Sequence, residues 1–306
     1  MWRLGIVDFD SSHCVEFARR FNQVVVDREQ YVEGARVVAA WPGHSVMAPE
    51  RIPGFQKQLE AIEIPLVDRA EDLIGQVDAV LVLSLCGSAH LERVQPFLEA
   101  GIPAFVDKPF ACSLGDAVSM VEAAQTNQVT LFNASAMRFA EETRQVVDNK
   151  SLGRINGAIT FGPSKRASGS GIRHDTNPGL FHYGIHSVEL LFELMGPGCE
   201  TVTSVTTPNS EVVTGQWSDG RIGTVRGNRT SASSYGFVAF CDAGPISKVV
   251  STRFAYRNLC QAIVSSFENK VPTVSHESNL DVVKFILAAI ESEKNNGATV
   301  KMAEVF

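Results

Sequence analysis

Three things are scarce in this chain, and each scarcity removes a class of function. Basic residues are outnumbered, 27 Lys and Arg against 34 Asp and Glu for a net charge of −7, so nucleic acid and anionic membrane are not expected as partners. Long apolar runs are missing. Ala79–Leu83 and Phe285–Ile290 fall far short of the roughly 20 residues a membrane-crossing helix needs. Cysteines are few and unpatterned: the six, at 14, 86, 112, 199, 241 and 260, include no Cys-x-x-Cys pair, which argues against a disulfide framework and a structural zinc site. No internal repeat or low-complexity linker occurs. The chain opens directly into the strand-like Leu4–Val7 without a basic-then-apolar leader, so the expected compartment is a reducing cytoplasm.

What is present suits a two-domain enzyme-sized chain of 306 residues. Up to residue 133, strand and helix patterns alternate. Strands are expected at 4–7, 35–40, 65–67, 78–85, 104–106 and 129–132, with helices at 13–22, 50–60, 89–100 and 114–127. Such alternation implies βαβ crossovers and a doubly wound parallel sheet. From 134 to 306 the texture changes to β-branched and aromatic runs broken by Gly, Asp and Ser, at 153–161, 202–207, 211–217, 221–228 and 237–240. Helical patterns flank them at 141–149, 182–195, 255–268 and 279–295, which predicts an α+β domain with an open, mainly antiparallel sheet.

The densest local signal is Ala100-Gly-Ile-Pro-Ala-Phe-Val-Asp-Lys-Pro109. Gly101 can close a helix in the left-handed region, Ala104–Val106 reads as a buried strand, and Pro109 fixes the backbone after Lys108. That puts a lysine at the carboxyl end of a parallel strand, where open α/β sheets bind ligands.

Four ordered stretches resemble the Gfo/Idh/MocA family of oxidoreductases: Val77–Val80 followed by His90, Ala100-Gly101 with Asp107-Lys-Pro109, Arg138-Phe139 with Leu152-Gly153, and Gly184-Ile-His186 with Glu189 and Gly196. The resemblance implies a Rossmann-type first domain that binds NAD or NADP, and a second domain for substrate and oligomerisation, as a homodimer or homotetramer. It implies a small polyhydroxylated substrate of sugar or cyclitol type. Lys108 would stand beside nicotinamide and substrate, His186 would be the general acid/base, and His182 its partner. Cofactor contacts are expected from Asp8, Phe9, Asp10, Ser11, Ser12 and His13, and from Trp41, Ser84, His90, Asp107, Lys108 and Pro109. Substrate contacts are expected from Arg138, Lys165, Arg173, His174, His182 and His186, with Arg166 and Asp175 in the same polar loop.

The pattern departs from the family in three places. No glycine falls in the turn Asp8-Phe-Asp-Ser-Ser-His13, where a dinucleotide site wants Gly-x-Gly-x-x-Gly. Two aspartates there repel a pyrophosphate unless they point away, while Ser11 and Ser12 are suited to cap the helix. The second strand ends in Trp41-Pro-Gly-His44-Ser45 rather than in an acid or a basic cluster, which specifies neither cofactor. His182 replaces the family's aspartate four residues before the histidine. At that spacing His182 and His186 share a helical face with Glu189 one turn on, so a metal-assisted lyase or hydrolase is a further reading. A third is a family member that has lost dinucleotide binding and serves as a ligand-binding or regulatory protein.

Overall fold

The computed structural model describes residues 1–166, 176–230 and 234–305. It divides into two compact units. The first comprises Met1–Ala134 and Thr176 with Tyr256–His276; the second takes the described residues among 135–166, 177–255 and 277–305. The stretch Tyr256–His276 therefore returns to the first unit, although its sequence lies deep in the second half.

The first unit holds five strands, β1 (Trp2–Val7), β2 (Ala35–Trp41), β3 (Ala79–Val82), β4 (Ala104–Val106) and β5 (Leu131–Asn133). They form an all-parallel sheet in the order β2-β1-β3-β4-β5. The run expected as a strand at 65–67 supplies a single parallel bridge, Leu66 to Ala40. Between the strands run α1 (His13–Asn22), α2 (Ile52–Glu60), α3 (His90–Glu99) and α4 (Leu114–Thr126). Helix α1 is amphipathic, burying Cys14, Phe17, Ala18 and Phe21 at helical spacing. Helix α4 starts where the Ser113 side chain accepts the Asp116 N–H at 3.1 Å. Gly101 takes φ 75° just beyond α3, in the left-handed region that ends the helix before β4.

Because β1 connects to β2 on one side and the chain then crosses to β3 on the other, the carboxyl ends of β1 and β3 part. That gap is the switch point at which such sheets hold ligands.

The second unit holds α5 (Glu141–Val147), β6 (Ile155–Pro163), α6 (Ile185–Met195), β7 (Cys199–Thr206), β8 (Ser210–Trp217), β9 (Ile222–Asn228), β10 (Gly236–Cys241) and β11 (Gly244–Val249). Helix α7 (Ala255–Asn269) belongs almost wholly to the first unit; α8 (His276–Lys294) and the short β12 (Val300–Lys301) complete the chain. The seven-stranded sheet runs β11-β10-β6-β9-β8-β7-β12, antiparallel except where β6 lies parallel to β9. Alternation sends Ala158, Thr160, Val213, Val225, Phe237 and Ala239 inward, each at 1% exposure or less, while Ile159, Val212, Ile222 and Phe240 remain exposed on the other face. Helix α6 packs on β6 and β9 and is buried nearly all round, as its run of Ile185, Val188, Leu190, Leu191, Phe192 and Leu194 requires.

Candidate active site

In the first unit, the β1–α1 turn is built from side chains where a dinucleotide turn uses glycines. By spacing, Asp8, Asp10 and His13 stand at the three glycine positions of Gly-x-Gly-x-x-Gly. Asp8 even keeps the glycine-like backbone, with φ 70°. Each of the three reaches across the carboxyl edge of the sheet. Asp8 accepts the Ser84 hydroxyl and the Arg93 Nε–H at 3.1 Å. Asp10 accepts the Leu85 backbone N–H at 2.8 Å and the Ser45 hydroxyl at 2.6 Å. His13 Nδ1 lies 2.7 Å from the Asp107 carboxylate, and its Nε2 lies 3.1 Å from the Tyr256 hydroxyl.

Burial sets the electrostatics of this edge. It pushes the Asp8 carboxyl up to about 6 against the opposing pull of Arg93 and Ser84. Burial acts in the same upward sense on Asp107, but His13 and Lys108 outweigh it and hold that carboxyl below the usual range. Lys108 Nζ sits 3.7 Å from Asp107 in a largely buried position, at the carboxyl end of β4 as expected. Pro109 is buried beside it.

The remaining cofactor candidates divide. Ser84 binds Asp8, and its carbonyl lies 2.9 Å from His90 Nε2. His90 is fully buried, its Nδ1 is 3.0 Å from the Phe110 carbonyl, and burial lowers its pKa; it ties α3 to the strand ends. Phe9 is core, at 0% exposure. Ser12 makes no side-chain cap, whereas Ser11 Oγ accepts the His13 N–H at 3.3 Å. The Trp41 ring expected to stack on adenine has the Arg93 guanidinium over it at 5.1 Å, and its Nε1–H goes to the Asp68 carbonyl at 3.1 Å.

A cavity of 250 Å³ opens at this edge among Asp8, Asp10, Ser45, Ser84, Ser88 and Arg93. It falls just below the range of small-molecule pockets, about 300–1,000 Å³. The backbone N–H groups of Asp10, Ser11 and Ser12 find no acceptor among the described residues. Both aspartates have their oxygens engaged by the sheet edge. Those N–H groups and Arg93 fit the phosphates of a nicotinamide dinucleotide, and the acids fit it only while they stay tied to Ser84, Ser45, Leu85 and Arg93. Arg93, Ser45 and Gly43 carry no motif. Only the missing glycines hinted that side chains would fill this turn. Gly43 is needed because a Cβ there would lie 1.7 Å from Asp8 Oδ1.

In the second unit, His186 is the second residue of α6, and its Nδ1 lies 2.7 Å from the Ser135 hydroxyl. The Tyr235 ring stands edge-on to the imidazole at 5.3 Å. Gly162 makes room for that ring, since a Cβ there would meet Tyr235 at 2.4 Å. Ser135 was not legible as a site residue.

Two expectations for this unit change. The helix starts at Ile185, and His182 precedes it, after a 3-10 turn at Gly179–Phe181, with its ring edge-on to Tyr183 at 4.8 Å. The helical face assumed for His182, His186 and Glu189 therefore does not exist. Arg138, expected at the substrate, is 2% exposed and locked in ion pairs with Glu189 and, at 3.0 Å, with Glu193, plus a bond to Ser278 at 3.2 Å. That also removes Glu189 from the metal reading, and no group of three or more metal-ligating side chains occurs among the described residues. Lys165 is exposed, and Arg166 pairs with Glu293 at 2.6 Å. Arg173, His174 and Asp175 lie outside the described residues.

Comparison with known proteins agrees with this architecture. Residues 31–135 match the model of an oxidoreductase family with an NAD-binding Rossmann fold. YceM of Salmonella typhimurium, named as an oxidoreductase, is 30% identical over 158 residues, 52% of this chain and 49% of YceM, so the match spans about half of that relative. Scyllo-inositol dehydrogenase from Lactobacillus casei, solved with NAD(H) and scyllo-inositol, superposes with a TM-score of 0.78 at 17% identity, covering 99% of this chain and 100% of that one. Myo-inositol 2-dehydrogenase from Lactobacillus plantarum gives 0.76 at 16% identity, covering 98% and 99%. At these identities the likeness is one of fold.

Proposed function

We propose that this chain, a member of the Gfo/Idh/MocA family of oxidoreductases, is a nicotinamide-dependent dehydrogenase that interconverts a carbinol and a carbonyl on a sugar or cyclitol-like substrate. The bound dinucleotide would supply or receive the hydride. In the first unit, the turn at Asp8–His13, with Arg93, would hold its phosphates, and the Lys108 ammonium would offset negative charge on the reacting oxygen. In the second unit, His186 would trade the hydroxyl proton through Nε2, a task that suits imidazole because it changes charge near neutral pH. The observation that supports this reading best is the anchoring of His186 Nδ1 by Ser135 at 2.7 Å. A ring held by one nitrogen has its plane fixed, which supports a set direction for proton exchange.

The substrate class rests on analogy with the inositol dehydrogenases that share the fold. The uncovered sheet face carrying Ile159, Val212, Ile222 and Phe240 supports self-association as a dimer or tetramer. A second reading, a binding or regulatory protein without cofactor, is favoured by the side chains at all three glycine positions. Titration with NADH and NADPH, followed by a screen of polyols with a His186→Ala control, separates the two. Saturable binding and His186-dependent turnover support the dehydrogenase, and absence of both supports the second reading.

A further inference from the structure

Ser135 Oγ is fully buried and lies 2.7 Å from His186 Nδ1. The same oxygen accepts the Met137 backbone N–H at 3.2 Å. An amide only donates, so the hydroxyl hydrogen still needs an acceptor, and a buried O–H left without one is costly. Among the described residues, Nδ1 is the acceptor within reach. We infer that Ser135 is a positioning residue: it donates its O–H to Nδ1 and so holds the neutral His186 ring as the Nε2–H tautomer.

The surrounding packing fixes the pair. Arg138 follows Ser135 by three residues and Glu189 follows His186 by three, and the ion pair Arg138–Glu189 spans the same 51-residue separation as Ser135–His186. A slip of α6 by one residue against the 136–139 turn would break both contacts at once. Both residues of the ion pair are at most 2% exposed, so its loss is costly and the register is held.

This deepens the dehydrogenase reading and, for its catalytic consequence, rests on it. In that reading, a ring held as Nε2–H would donate to a ligand oxygen that accepts, such as a ketone carbonyl. To take a proton at Nε2, the ring must change tautomer. Nδ1–H then donates to Ser135 Oγ, and the serine hydrogen loses its acceptor.

Nitrogen-15 spectroscopy of the full chain labelled in histidine tests this without cofactor or turnover. Above the pH at which His186 is charged, its Nδ1 is expected to give an acceptor-type signal and its Nε2 an N–H-type signal. Ser135→Thr should preserve this pattern, and Ser135→Ala should move both signals towards a mixture. An N–H-type Nδ1 in the wild type, or an unchanged spectrum in a folded Ser135→Ala, overturns the inference. If the spectra are as expected and no polyol is turned over, the dehydrogenase reading fails and the tautomer assignment stands. If turnover is found, Ser135→Ala should lower kcat for carbonyl reduction about tenfold with KM little changed, and should not lower kcat for carbinol oxidation, where the held tautomer is the one that must be given up.

Discussion

Replacing Arg138 by methionine removes the cation that holds α6 to the segment bearing Ser135. Its guanidinium is almost wholly buried, pairs with Glu189 and Glu193, and bonds Ser278. Glu193 retains Arg144 at 2.6 Å when Arg138 is lost, but Glu189 has no such substitute ion pair and is 1% exposed. An uncompensated buried charge of this kind costs about 3–5 kcal/mol. At roughly 2–4 °C per kcal/mol for a domain of this size, the second unit's thermal midpoint should fall by roughly 6–20 °C. The double variant Arg138→Met/Glu189→Leu removes both charges and refills the space with apolar atoms, so it should recover most of the loss. Urea unfolding of the single and double variants, followed by tryptophan fluorescence, gives the two free energies. A loss below about 1 kcal/mol in Arg138→Met, or a double variant no more stable than the single, would refute the assignment of Arg138 as a buried structural charge.

Asp8, its pKa raised to about 6 by burial, makes stability depend on pH. A folded-state carboxyl raised above its unfolded value favours the fold at low pH, so about 3 kcal/mol should be lost as pH rises from about 4 to about 6, and chemical denaturation of Asp8→Asn should lack that slope. Gly43→Ala combines φ 68° with a Cβ 1.7 Å from Asp8 Oδ1. It should cost about 1–3 kcal/mol in a thermal melt and weaken NADH binding, and wild-type values for both would contradict the packing described. Phe240→Glu, on the uncovered sheet face, should shift the mass measured by light scattering to that of one chain; an unchanged oligomer would place the interface elsewhere.

The architecture was largely legible because both units follow strong periodicities. Ala104–Val106 and Leu114–Thr126 emerged almost residue for residue, since a buried apolar triplet and a Ser-capped amphipathic run admit few alternatives. Leu66 became a lone bridge because a three-residue edge run gains little from pairing on one side. His182 was drawn into the helix by its spacing from His186, but the backbone breaks its helical path at His182, with ψ −92°. The strand β11 leaves little trace in the sequence because Gly244-Pro-Ile-Ser-Lys-Val249 holds a proline and its apolar residues alternate only weakly. At the candidate site, Lys108 and His186 were readable from motif. Ser135, Arg93 and Gly43 were not, because their roles depend on partners 51, 85 and 35 positions away, which no local pattern encodes.

The central claim, a working dinucleotide site on a turn without glycines, is tested most directly by titrating NADH and NADPH into cofactor-free protein and following nicotinamide fluorescence. The account predicts saturable binding of at least one of them in the micromolar range, weakened in Gly43→Ala. No saturation with either at millimolar concentration would contradict it and leave a non-redox ligand for the same strand edge.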